Sequence, residues 1–336
     1  MTDVPSASTA QVLAHARQVL AEALPRFGFA ADTPAERLPV SENVAYRLRP
    51  DDGAPVVLRI SRPGGYDLRT RESELAWVSA LSGQAGAPVP GVHPADDGTL
   101  VITVRPPGSQ CGYHVSAFEC VPGLHPPEEE YAAVMPQLGA ITGHLHEHAS
   151  RWQRPRWFTR PAWDVDAAFG SAPRWGSWRA GVHERDEIEQ LVRVEEFVRD
   201  RLGRFGRGPD RFGLIHADMR AANLLVDGTD CRIIDFDDCG PGWFLYDLAT
   251  AMTFAEDHPD AGDFIAAWLQ GYRSVRDLPA EHEREIDTFL LLRRMLTIAF
   301  LGNNPDIDVS RQMLPGMARA TCDWADTILT EQAARS

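Results

Sequence analysis

Two polar turns, each set between runs of apolar residues, constrain this chain more than any other feature of its sequence. Residues 213–226 read GLIHADMRAANLLV: apolar residues lead into His216, Ala217 and Asp218, then Arg220 and Asn223, then a second apolar run. Residues 232–238 follow as RIIDFDD, so that Asp235 lies 17 residues after Asp218, at the end of the apolar pair Ile233 and Ile234. Short buried strands that end in polar turns can bring two carboxylates and one carboxamide to a common site.

Phosphoryl transfer needs such a set. One carboxylate orients an attacking hydroxyl and accepts its proton, while a second carboxylate and an amide oxygen hold Mg²⁺ against a triphosphate. Asp218, Asp235 and Asn223 offer those three groups.

The rest of the composition narrows the field. At 336 residues and 44% hydrophobic content, the chain is too long for one small core, and its 24% charged fraction is that of a folded protein. The most apolar helix candidate, residues 286–300, is interrupted by Arg293 and Arg294 and is shorter than the roughly 20 apolar residues a bilayer crossing requires. It is expected to be a core helix. Residues 1–8 carry no basic start with an apolar run behind it, so a cytoplasmic location is expected. The five cysteines form no CxxC pair, which argues against a disulfide framework or a zinc ribbon. A net charge of -15 disfavours nucleic acid and anionic membrane as partners and suits a neutral or cationic small molecule. All 33 residues counted as Lys or Arg are arginine, so any chemistry that needs a cation must use Arg or His.

Periodicity predicts a leading helix over residues 9–24, with strands at 44–48, 56–60 and 100–104 and a helix over 69–81. A further helix is expected over 131–148, and beyond Glu184 most periodic segments are helical. Residues 151–178 are dense in Arg, Pro and Trp and are expected to form an ordered loop that walls a pocket. His144, His146 and His148 alternate along the 131–148 helix, which is the pattern of an ordinary helix surface rather than of a metal site.

The His216, Asp218, Arg220 and Asn223 turn, followed by Asp235-Phe236, resembles the protein-kinase-like phosphotransferases. Within them it is most similar to the aminoglycoside phosphotransferase, choline kinase and type II homoserine kinase branch. The resemblance implies that Asp218 is the catalytic base, that Asn223 and Asp235 are metal ligands, and that Arg220 stabilises the transferred phosphoryl group. It makes His216 structural, Asp237 an accessory to the metal site, and Asp247 a buried brace for the catalytic loop. It also implies a cation on a strand over the triphosphate with a helix glutamate holding it. Arg59 stands where lysine is usual, with Glu74 as its partner and Glu72 as the rival. No G-x-G-x-x-G precedes that strand, and Ser41 and Asn43 are the polar residues available to the phosphates. Adenine is expected to pair with backbone groups of Glu119 and Val121.

The implied fold is α+β, bilobal and protein-kinase-like, with a small antiparallel-sheet lobe and a larger helical one. Residues 1–118 form the first lobe, 119–123 a hinge, and 124–336 the second lobe, with the catalytic loop at 214–226 and the metal-binding segment at 232–238. The implied activity is transfer of the γ-phosphoryl group of ATP, with Mg²⁺, to a hydroxyl of a small molecule such as an aminoglycoside, amino alcohol or homoserine-like compound. Two alternatives stay open. The segment holding Phe158, Arg160, Pro161, Trp163 and Asp164 also resembles bacterial stress-response Ser/Thr kinases, and the missing lysine and glycine loop would suit a nucleotide-binding pseudokinase scaffold.

Overall fold

The structure is a computed structural model that describes residues 9–39, 43–84 and 87–335. Its elements begin with α1 (Thr9–Ala23), β1 (Ala35–Arg37), β2 (Val44–Leu48), β3 (Val56–Ile60), α2 (Leu68–Ser82), β4 (Val92–His93), β5 (Ile102–Val104) and β6 (Tyr113–Glu119). There follow α3 (Tyr131–Arg151), α4 (Val165–Phe169), α5 (Arg185–Phe205), β7 (Phe212–Ile215), β8 (Leu224–Asp227), β9 (Asp230–Ile233) and β10 (Gly240–Trp243). The chain ends in α6 (Phe244–Ala251), α7 (Ala261–Arg273), α8 (Ala280–Glu283), α9 (Ile286–Asn303) and α10 (Asp308–Arg335). The chain divides into two compact units. The first comprises Met1–Leu124, Gln153–Arg160 and Leu225–Asp237, and the second His125–Trp152, Pro161–Leu224 and Asp238–Ser336. An antiparallel sheet organises the first and helices the second, the α+β arrangement expected.

In the first unit the strand order is β1-β2-β3-β6-β4, with β5 also paired to β6, and every pairing is antiparallel. Val44 faces Ile60, Tyr46 faces Leu58 and Leu48 faces Val56, so one face of the β2–β3 ladder is apolar. Val12, Ala16, Val19 and Ala23 lie on one stripe of α1 and join that face in a single core. Each large aliphatic side chain buried there contributes about 1.5–3 kcal/mol relative to an exposed one. Helix α2 starts where the Asp67 carboxylate accepts a hydrogen bond from Thr70 N at 2.8 Å, which satisfies an otherwise unpaired N-terminal donor.

In the second unit α3 and α7 approach closely because both offer glycine at the crossing. A Cβ added at Gly139 would lie 2.0 Å from the carbonyl oxygen of Trp268, and one at Gly271 would lie 1.8 Å from that of Pro136. Helix α9 is buried along nearly its whole length, as its composition predicts, and both of its central arginines are buried with it. Strands β7 and β10 pair antiparallel, with Ile215 opposite Gly240, and frame the 216–223 turn at its start. Among the described residues no helix is long and apolar enough to cross a membrane.

Candidate active site

The second unit holds the 216–223 turn, and α6 holds the turn in place. Asp247, fully buried, accepts hydrogen bonds from His216 N at 3.0 Å and Ala217 N at 2.6 Å. Ala217 has φ 68, a left-handed conformation that costs an ordinary residue about 1–2 kcal/mol unless its neighbours compensate. One turn further along α6, the Thr250 hydroxyl accepts from Met219 N at 2.9 Å. Asp247 and Thr250 share a face at i, i+3, so a single helix sets the path of the turn on both sides of Asp218.

Asp218 is ringed by donors. Arg220 grips its carboxylate in a fork, Nε to Oδ1 at 2.9 Å and Nη2 to Oδ2 at 3.0 Å. Asn223 donates through Nδ2 to Oδ2 at 2.8 Å and to the Asp218 carbonyl at 2.9 Å. Arg293 of α9 adds Nη2 to Oδ1 at 3.3 Å. Burial pushes the Asp218 carboxyl toward protonation, but Arg220 and Arg293 outweigh it and hold its pKa below the ordinary carboxylate value. Asp218 is therefore an anion at neutral pH. Because Asn223 spends its nitrogen on Asp218, its amide oxygen is the atom left for a hard cation.

The first unit holds Asp235 and the cation expected above it. Hairpin β8–β9 ends at Ile233, and Asp235 follows with φ 65 and a carboxylate about half exposed. Arg59 of β3 pairs with Glu74 at 2.8 Å and reaches Asp235 at 4.0 Å, whereas Glu72 pairs with Arg69. Three residues on one stripe of α2 organise this neighbourhood. Arg71 donates to Asp237 at 2.6 Å, Glu74 pairs with Arg59, and Trp77 meets Phe236 edge-on with centroids 5.4 Å apart. Burial works against the charge on Asp237, but Arg71 and then Arg59 override it and drive its pKa far down. Asn43 also donates to Asp237, at 3.1 Å, so the Asp237 carboxylate is occupied by protein donors.

Replacing Arg59 with Met would strand a glutamate whose side chain is only 1% exposed. A destabilisation of about 3–5 kcal/mol is expected for Arg59→Met, and clearly less for Arg59→Lys, which keeps the charge. Urea unfolding followed by circular dichroism measures both, and equal effects of the two variants would contradict the ion-pair account.

The remaining expected site residues fall as follows. Glu119 ends β6, and its N–H is taken by the carbonyl of Gly91 at 2.8 Å. Val121 lies just beyond, buried. Ser41 lies outside the described residues. Arg160 donates to the carbonyls of Thr70 and Asp237, and Trp163 Nε1 to that of Asp238 at 2.7 Å, so both side chains of that segment make structural contacts. The surface reading of the three-histidine helix fails at one position. His146 is fully buried, with Nε2 3.0 Å from Asp247 and Nδ1 3.0 Å from the Tyr272 hydroxyl. Burial lowers its pKa, so the neutral ring donates to Asp247 through Nε2 and accepts from Tyr272 at Nδ1. The outer two histidines gave no hint of this, because only the fold reveals which face of α3 meets α6.

Two participants escaped the sequence reading, Arg71 and Arg293. The signal for Arg293 was present: a charge in the middle of an apolar helix requires a buried partner.

Comparison with known proteins gives a concordant picture. The profile of the APH phosphotransferase enzyme family matches residues 35–283. Amicoumacin kinase of Bacillus subtilis (strain 168) is 26% identical over 324 residues, covering 91% of each chain. A solved structure of the microcompartment-associated aminopropanol kinase is 38% identical with a TM-score of 0.85, covering 94% of this chain and 98% of that one. The amicoumacin kinase hAmiN, solved with AMP-PNP, Ca²⁺ and Ami, shares the fold at 22% identity and a TM-score of 0.78, over 94% of this chain and 96% of its own. With a family match over well more than half its length and a full-length likeness to a solved kinase, the chain belongs to the phosphotransferase enzyme family.

Proposed function

We propose that the protein is a kinase that transfers the γ-phosphoryl group of ATP to the hydroxyl of a small amino alcohol. The observation that carries the reaction type is the donor-ringed, ionised Asp218 on a turn braced by buried groups. A carboxylate held in one orientation is what a base needs to align a hydroxyl and take its proton as the new P–O bond forms. The 38% likeness to the aminopropanol kinase supports an amino alcohol as acceptor, and a net charge of -15 favours the approach of a cationic amine.

In this reading Asn223 and Asp235 each give an oxygen to a divalent ion, Mg²⁺ in the cell, and the donor types suit a hard cation. When bound, such an ion offsets the charge of the triphosphate. Arg59, kept charged and fixed by Glu74, contacts phosphate oxygens, with Asn43 as a polar neighbour. The backbone of Glu119 and Val121 meets adenine. Arg220 lies more than a third exposed, and its fork geometry matches a phosphoryl group as well as a carboxylate.

The test is an acceptor screen by ADP release with Mg-ATP, covering short amino alcohols, choline, homoserine, aminoglycosides and amicoumacin. Amino alcohols are expected to give the highest kcat/KM, with the signal gone in Asp218→Ala. A preference for an aminoglycoside or for amicoumacin would overturn the acceptor assignment and keep the reaction type. Turnover that persists in Asp218→Ala would overturn the mechanism.

A further inference from the structure

Asp218 carries two arginines of different character. Arg220 is its neighbour on the turn, with a side chain 39% exposed, whereas Arg293 comes from the core helix α9 and is 5% exposed. Arg293 is fixed on several sides. Nε donates to Thr253 Oγ1 at 2.9 Å, Nη1 to the Tyr246 hydroxyl at 3.3 Å, and the guanidinium lies 5.2 Å from the centroid of the Trp175 ring. Thr253 is itself held by a 2.7 Å hydrogen bond to the carbonyl of Thr250, one turn from Asp247. Nη2 is thereby aimed at Asp218 Oδ1.

The acceptor capacity of the carboxylate matters here. An ionised Asp offers about four lone-pair directions, and all four are taken, by Arg220 Nε and Arg293 Nη2 on Oδ1 and by Arg220 Nη2 and Asn223 Nδ2 on Oδ2. A substrate hydroxyl can reach the carboxylate only if one donor leaves. Of the two guanidiniums, Arg293 is the buried one, locked by Thr253, Tyr246 and Trp175, and so the one that stays.

We infer that Arg293 is the positioning residue of Asp218: buried and anchored on several sides, it fixes Oδ1 throughout the reaction. This rests on the assignment of Asp218 as base. It does not rest on the identity of the acceptor. A buried guanidinium with three anchors does for the base what a supporting shell does in a preorganised site, because a carboxylate misplaced by about 1 Å can lose about 10²-fold in rate.

The experiment is a double-mutant cycle between Arg293→Met and Asp218→Asn, read as kcat on whichever hydroxyl the wild type phosphorylates, water included. An acceptor other than an amino alcohol therefore leaves the test intact. Arg293→Met alone is expected to lower kcat by about 10–10²-fold with the KM for ATP within about twofold, and Arg293→Lys to recover part of the loss. In the Asp218→Asn background the same change is expected to cost less than about threefold, since the group it positions is already disabled. A loss of equal size in both backgrounds, or one confined to the KM of the acceptor, would overturn the inference and make Arg293 an acceptor-binding group. Thr253→Val, which removes one anchor and leaves both charges in place, provides the same readout should Arg293→Met fail to fold. It is expected to lower kcat by about 3–10-fold, and an unchanged kcat would overturn the inference.

Discussion

Asp218→Asn lowers turnover by about 10²–10⁴-fold while nucleotide affinity stays close to that of the wild type. The substitution preserves size and leaves an amide oxygen to accept from one of the guanidiniums, so the turn keeps its shape. It removes the lone pair that accepts the hydroxyl proton, and places an N–H₂ group against the donors of Arg220, Arg293 and Asn223. In the proposed reading nucleotide affinity depends on other residues, Arg59 foremost. Steady-state ADP release gives the rate and isothermal titration with a non-hydrolysable ATP analogue gives the affinity. Turnover within about threefold of wild type would remove Asp218 from the mechanism, and loss of nucleotide binding would mean that it serves the nucleotide instead.

Asp247→Ala is expected to cost about 3–5 kcal/mol of stability and to abolish turnover in the folded fraction. The carboxylate satisfies two backbone donors and the His146 ring, all of them buried. Its removal leaves His216 N and Ala217 N without acceptors in a region closed to water, each worth about 1–3 kcal/mol. It also removes the restraint that keeps Ala217 at positive φ, so the turn can relax to an ordinary conformation and carry Asp218 away. Asp247→Asn keeps one acceptor and is expected to lie between the wild type and Asp247→Ala. Chemical denaturation orders the three proteins, and an Asp247→Ala midpoint equal to that of the wild type would contradict the role of the brace.

What could be read from the sequence was what local physics determines. Strands β2 and β3 announce themselves as short β-prone runs bounded by turn residues, and α2 as a helix pattern over 69–81. Strand β1 does not, since all three of its residues are exposed and nothing alternates. The polar turn at 216–223 was legible because its residue types and spacing are chemically unusual, and the choice of Glu74 over Glu72 agreed with the observed pair. The hidden features are those made through space. Arg71 meets a carboxylate 166 positions away and Arg293 one 75 positions away, and no periodicity encodes such partners. His146 looked like one of three surface histidines because burial by another helix leaves no mark on the spacing within its own.

The guanidinium at position 59 has a consequence for chemical probing. Reagents that tag kinases by acylating the ε-amine beneath the nucleotide find no lysine anywhere in this chain. An occupancy assay built on such labels would score the protein as inactive however well it turns over. The same side chain keeps its proton across the whole accessible alkaline range, so the hold on phosphate proposed for it would stay level where a lysine enzyme begins to lose grip.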